Sequence, residues 1–152
     1  MNRRRLFSLA LGATALCALP ALGATSLPQV EVFKSPSCGY CGAWADHMKA
    51  AGFPVKLTLV DDTGAVRRRF GMPDKFASCH TAMVGGYAVE GHVPAAEVKR
   101  LLATKPKAIG LAVPSMPPGA PGMDMGARKD PYNVFLIDKS GHETVFAAYP
   151  KA

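Results

Sequence analysis

The order of elements legible in this chain, β-α-β-α-β-β-α, predicts an α/β domain of thioredoxin-like (glutaredoxin-like) type, extended by a long Met/Pro/Gly-rich loop and a C-terminal β-hairpin. Three observations carry that expectation. An alternating strand runs into a Cys-x-x-Cys at a helix start, a Gly-Gly pair joins two further strands, and an apolar-striped helix follows them.

The chain has 152 residues, enough for one compact domain. Its first 23 residues read as an export signal. "MNRRR" is a basic n-region, "LFSLALGATALCALPAL" an apolar h-region, and Ala21 and Gly23 are small residues placed for cleavage. "NRRRLF" also resembles, loosely, a twin-arginine signal, and Cys17 follows Leu16, which is a poor lipoprotein context. The expectation is a soluble periplasmic domain over residues 24–152. Loss of Arg3, Arg4 and Arg5 lowers the formal charge from +7 to +4 and leaves 129 residues. The remaining basic residues are scattered, so nucleic acid is not expected as a partner, nor a membrane after cleavage. The single run, Arg67 to Arg69, reads as the solvated face of a short helix.

"QVEVFKS", Gln29 to Ser35, alternates as a half-buried strand does, and Pro36 and Ser37 end it. From Gly39, Cys41, Trp44, Ala45 and Met48 recur at i, i+3, i+4 and i+7, one face of a helix closed by "AGFP". "VKLTLV" is a second strand, and "DDTGAVRRRFGMP" a short helix that Gly71 and Pro73 end. "TAMVGGYAVEG" folds at Gly85-Gly86, a favoured hairpin turn. "VPAAEVKRLLATKP" places Pro94 at the first turn of a helix whose stripe is Val98, Leu101 and Leu102. The stretch 112–131 holds five prolines and no periodicity, and it reads as a loop that is either functional or disordered. "YNVFLID" and "HETVFAAY" close the chain as a hairpin.

Removing Cys17 with the signal leaves Cys38, Cys41 and Cys79, an odd number for an exported protein, so one thiol is free or all three act together. Cys38 falls at a helix N-terminus, where unpaired N–H groups and the helix dipole favour a thiolate. A thiolate there serves disulfide exchange and soft-metal binding alike. "CGYC" resembles the "CPYC" type of glutaredoxin site, with Gly39 in place of proline.

Cys79 and His80 precede the third strand, where thioredoxin-like oxidoreductases ordinarily present an X-Pro peptide. A third thiol and an imidazole there offer competing disulfides to an exchange enzyme but complete a ligand set for a metal. Three Cys and one His fit tetrahedral zinc, which has no use for thioether. Cu(I) accepts both thiolate and thioether, and the loop carries Met116, Met123 and Met125, the last two flanking an acidic residue in "GMDMG". The candidate ligands are therefore Cys38, Cys41, Cys79, His80, Met116, Met123 and Met125, for copper ahead of zinc. Met48, Met72 and Met83 are expected in or near the core, and Trp44 is expected as an anchor beside the site. His47, His92 and His142 are expected as solvated side chains, with His92 the one to test as an outer-shell group.

"VFKSPSCGYCGAWADHMKAAGFPV", "ASCHTAMVGGYAVEGHVPA", "GLAVPSMPPGAPGM" and "DPYNVFLID" resemble, block after block, the CopG-type family of periplasmic copper-resistance-associated proteins, long catalogued as a domain of unknown function. The resemblance runs from about Gln29 onward. It implies a thioredoxin-like fold, copper bound through cysteine, and a role in copper handling alongside other periplasmic copper proteins. Matched by position, the family's cysteine motif falls on Cys38 and Cys41, its Ser-Cys-His block on Cys79 and His80, and its Met-Pro loop on Met116 and Met123. The family usually reads C-G-C-C, and here Tyr40 takes the third place, which leaves a site of three thiolates plus Met or His. Two other functions stay open beside copper binding. One is a glutaredoxin-like thiol–disulfide oxidoreductase with Cys38 as nucleophile and Cys41 as resolving thiol. The other is a copper redox protein whose dithiol supplies electrons.

Overall fold

The computed structural model describes residues 26–151, so the expected signal at 1–23 and Cys17 lie outside the described residues. Its spine is one seven-stranded sheet in the order β2-β1-β3-β4-β5-β6-β7. The strands are β1 (Val30–Lys34), β2 (Val55–Leu59), β3 (His80–Val84), β4 (Tyr87–Glu90), β5 (Ala108–Ala112), β6 (Tyr132–Asp138) and β7 (Glu143–Tyr149). The helices are α1 (Gly39–Ala50), α2 (Thr63–Arg69) and α3 (Ala95–Thr104).

The first four strands have the arrangement the sequence predicts. β1 runs parallel to β2 and antiparallel to β3, and β4 turns back along β3. Gly85 and Gly86 adopt φ of 54° and 84°, the two positive values that a type I′ hairpin turn needs. Along β1 every second residue is buried, in accord with the alternation in "VEVFK". α1 starts where Cys38 caps it, its Sγ accepting the Cys41 N–H at 3.3 Å, and it buries Cys41, Trp44, Ala45 and Met48 as the spacing required.

β5 is an element that the sequence pattern does not predict. It lies parallel to β4, with α3 as the crossover between them, and it begins the joint to the expected hairpin of β6 and β7. Gly110 is required within it, because a Cβ there would stand 1.7 Å from the carbonyl oxygen of Ala88 on the neighbouring strand.

The core forms on both faces of the sheet. Val30, Val32, Val84, Val89 and Leu111 pack under Trp44 and Met48 of α1 and under Val98 and Leu101 of α3. Met72, Phe76, Ala88, Ala112 and Ile137 make a smaller cluster behind α2. Met48 and Met72 are thus core residues, as expected, and Met83 packs against the smaller cluster. No helix among the described residues is long and apolar enough to cross a membrane.

Two readings need correction. Arg67 is not part of a solvated face. It is 8% exposed, with its guanidinium 3.0 Å from Asp74 and 3.4 Å from the fully buried Glu90, while Arg68 and Arg69 stay outside. His47 is half-buried, and its Nε2 accepts the Ala95 N–H at 3.0 Å, meeting one of the unpaired donors at the start of α3.

Candidate metal centre

Three pieces of chain meet at the carboxyl end of β1: the cap of α1, the segment entering β3, and the segment leaving β4. The first brings Cys38 and Cys41, joined as a disulfide in this structure. The second brings Cys79, which is free, and His80. The three cysteine sulfurs lie within 4.8 Å of one another. Cys41 Sγ is also 3.5 Å from the carbonyl oxygen of Cys79, a contact of proximity, since a disulfide sulfur has no proton to donate. Tyr40, where the resemblance leads one to look for a further cysteine, points into solvent at 42% exposure.

The third piece brings His92, expected from the sequence to be a solvated side chain. It is fully buried, and its Nε2 stands 3.1 Å from Cys79 Sγ. His80 Nδ1 stands 3.3 Å from the same sulfur, so Cys79, His80 and His92 form a second set of groups within 4.8 Å of one another. The signal for His92 was present in the hairpin. The register that pairs Thr81 with Glu90 continues beyond the strand ends, where Gly91 N–H donates to His80 O at 3.0 Å, and the next step sets His92 across from Cys79. His142 is the histidine that does stay exposed.

The site is dry. Burial, and after it the neighbouring His92, push the His80 imidazole down to about 3, and burial lowers His92 as well, so both rings are neutral near pH 7. Burial likewise pushes the Cys79 thiol up, with the carboxylate of Glu90 adding to it. Trp44 lies against this nest as an anchor, its ring 4.5 Å from that of His80 and its Nε1–H donating to Val93 O at 2.8 Å.

Glu90, on β4, is a site residue that no sequence motif marks. Its carboxylate accepts the Ser78 N–H at 2.7 Å and the Thr81 hydroxyl at 2.5 Å, and so holds the chain on both sides of Cys79-His80. Arg67 supplies the opposing charge at 3.4 Å.

The stretch after β5 carries neither helix nor strand up to β6, as expected, and it is strapped over the centre. Ser115 N–H donates to Ala77 O at 3.0 Å, and Pro121 O accepts from His92 Nδ1 at 2.8 Å. Gly122 lies against the backbone of Trp44. Met123 is buried, Met116 half-buried and Met125 47% exposed, and Met123 and Met125 line one cavity of about 260 Å³ together with Asp124. The structure therefore brings together Cys38, Cys41, Cys79 and His80, adds His92, and fastens the methionine loop to them through Pro121 and Gly122.

A family model described as "Protein of unknown function, DUF411" matches residues 76–123, the stretch that carries Cys79, His80, His92 and the loop as far as Met123. No curated protein matches the chain. Two solved structures, "Copper resistance protein copG- Form 2" and "Copper resistance protein copG- Form 1", are 41% and 42% identical to it, with TM-scores of 0.78 and 0.77. In each comparison 82% of this chain and 99% of the other is covered. This chain, with its Cys/His cluster on a seven-stranded mixed sheet, belongs to the CopG-type copper-resistance family.

Proposed function

We propose that this protein is exported to the periplasm and there holds Cu(I) through the thiolates of Cys38, Cys41 and Cys79. His80 and the loop methionines Met116, Met123 and Met125 complete or guard the site. The observation that carries this reading is the convergence of three sulfurs from two separate segments within 4.8 Å. Soft Cu(I) favours thiolate and thioether over oxygen ligands, and the set offers both. Zinc would leave the thioethers without a role. The copper-resistance names of its relatives point to the same metal, and they fit a part in copper resistance, with copper passed to or from other periplasmic copper-handling proteins.

Cu(I) competition titration of the reduced protein tests this reading. The expected result is stoichiometric binding, a loss of at least tenfold in affinity in Cys79→Ser, and a smaller loss in the Met123→Leu/Met125→Leu variant. Undiminished affinity in Cys79→Ser would remove the three-thiolate site.

One observation favours a second reading. Cys38 and Cys41 are paired as a disulfide at the N-terminus of α1, the arrangement a thiol–disulfide oxidoreductase uses. Insulin reduction at enzymatic rates, abolished by Cys38→Ser and indifferent to copper, would support it. A copper redox protein, in which the dithiol gives electrons to Cu(II), combines the two. Thiol counting after a single mixing with Cu(II) detects it.

A further inference from the structure

We propose that the three cysteines form an internal disulfide relay, in which Cys79 exchanges into the Cys38–Cys41 disulfide to give a Cys41–Cys79 disulfide and a free Cys38 at the start of α1. The inference takes only its starting state, the closed Cys38–Cys41 pair, from the oxidoreductase reading, and it needs no metal.

A free thiol within 4.8 Å of both sulfurs of a disulfide is the reactant pair of thiol–disulfide exchange, already held in one site. The gap to close runs from that distance to the roughly 2 Å of a sulfur–sulfur bond. Attack proceeds along the line of the bond that breaks, so Cys79 must turn its side chain to bring its sulfur onto that line.

The surroundings decide which sulfur is attacked. Cys41 is fully buried, and its Sγ lies 3.5 Å from the carbonyl oxygen of Cys79, so the two residues already touch. Cys38 is half-buried at the helix cap, where the Cys41 N–H points at its Sγ from 3.3 Å. A thiolate leaving there keeps that donor and the positive end of the α1 dipole, which makes Cys38 the better leaving group. Expelling Cys41 instead would put the charge in the fully buried position, where desolvation opposes it.

His92 is placed to take the proton. Pro121 O can only accept, so the His92 ring carries its hydrogen on Nδ1 and aims the lone pair of Nε2 at Cys79 Sγ, 3.1 Å away. Nucleophile, base and a third group that orients the base thus stand in the order that activated nucleophiles use.

In the step, Cys79 Sγ gives its proton to His92 Nε2, the Cys79–Cys41 bond forms as the Cys41–Cys38 bond breaks, and the bonding pair leaves on Cys38. His92 then releases the proton to solvent. One disulfide replaces another, so no oxidant or reductant is consumed. The free sulfur moves from a nest faced by two imidazoles to a position flanked by the exposed Ser37, Gly39 and Tyr40. There it can attack a disulfide from outside, although the protein is still oxidised.

The test treats metal-free oxidised protein with iodoacetamide under native, anaerobic conditions and maps the products by peptide mass spectrometry. The expected result is chains labelled on Cys38 that hold a Cys41–Cys79 disulfide. Folded His92→Gln gains that label at least tenfold more slowly. Cys38→Ser, treated with diamide, closes a Cys41–Cys79 disulfide, which shows that the product fits the fold should His92→Gln fail to fold. Label confined to Cys79 in wild type, an unchanged rate in folded His92→Gln, or two thiols persisting in diamide-treated Cys38→Ser overturns the proposal. Exchange without any insulin reduction overturns the oxidoreductase reading instead.

Discussion

Gly122 sits so close to Trp44 that a Cβ built on it would lie 2.6 Å from the Trp44 amide nitrogen, with its own φ at +79°. The contact presses the methionine loop onto the first turns of α1, six residues beyond the cysteine that caps the helix. Neither the space nor the backbone conformation admits a side chain. Gly122→Ala is therefore expected to cost about 1–3 kcal/mol of stability, from overpacking and strain together. Urea unfolding measures the cost. Hydrogen exchange should quicken over residues 113–131 while β1 and β3 keep their protection, and a uniform change across the domain would contradict a local strap.

Glu90 and Arg67 form a buried pair: removing Arg67 leaves the fully buried carboxylate without its counter-charge, and removing Glu90 leaves the Ser78 N–H and the Thr81 hydroxyl without their acceptor, although Asp74 still faces the guanidinium. Glu90→Ala is expected to destabilise by about 3–5 kcal/mol, and Glu90→Gln by less, because the amide oxygen can still accept from Ser78. Chemical denaturation of Glu90→Ala, Arg67→Ala and the double variant gives the coupling. An additive double variant would show that the pair is not coupled.

The acid limb of stability should report Glu97. Burial pushes its carboxyl up, but hydrogen bonds from Lys151, Tyr149 and Arg100 outweigh that, leaving the group below its ordinary value of 4.5. A carboxyl lowered by folding stabilises fully above its unfolded pKa, and that contribution is lost as pH falls through the folded pKa. Wild type should thus exceed Glu97→Gln in unfolding free energy at pH 7, with the gap closing below about pH 4.5. A gap that is constant from pH 7 to pH 3 would contradict the assignment.

His47 ties α1 to α3 by accepting the Ala95 N–H. His47→Ala leaves a helix-start donor without that partner and is expected to cost about 1 kcal/mol, as loss of a cap does. Thermal unfolding reads it. A neutral substitution would mean that water replaces the imidazole at no cost.

Much of this architecture is legible in the sequence where a local rule is strong. Alternation in "VEVFK" marks β1, a cysteine cap with a four-residue apolar stripe marks α1, and Gly85-Gly86 marks the hairpin. β5 escaped because "AIGLA" is short and buried nearly throughout, so no alternation distinguishes it from the loop that follows. Arg67 and Arg68 are neighbours in sequence with opposite fates, which only the position of Glu90 on β4 decides. The thiols and His80 were readable as a cluster because they lie next to turns of a recognisable order. His92 was not, since "EGHVP" looks like a solvated turn until the hairpin register is extended past Glu90. The methionines of the loop are legible in the sequence as candidate ligands, but the loop's attachment depends on a carbonyl, Pro121 O, and a missing side chain, Gly122, which composition does not mark.

Copper binding by the cysteines, as proposed, is checked by the metal content and oxidation state of protein isolated anaerobically from the exported fraction of copper-exposed cells. The expected result is copper in the Cu(I) state at one or more equivalents per chain, and its loss in Cys79→Ser. Protein recovered without copper, or with copper undiminished in Cys79→Ser, would contradict it.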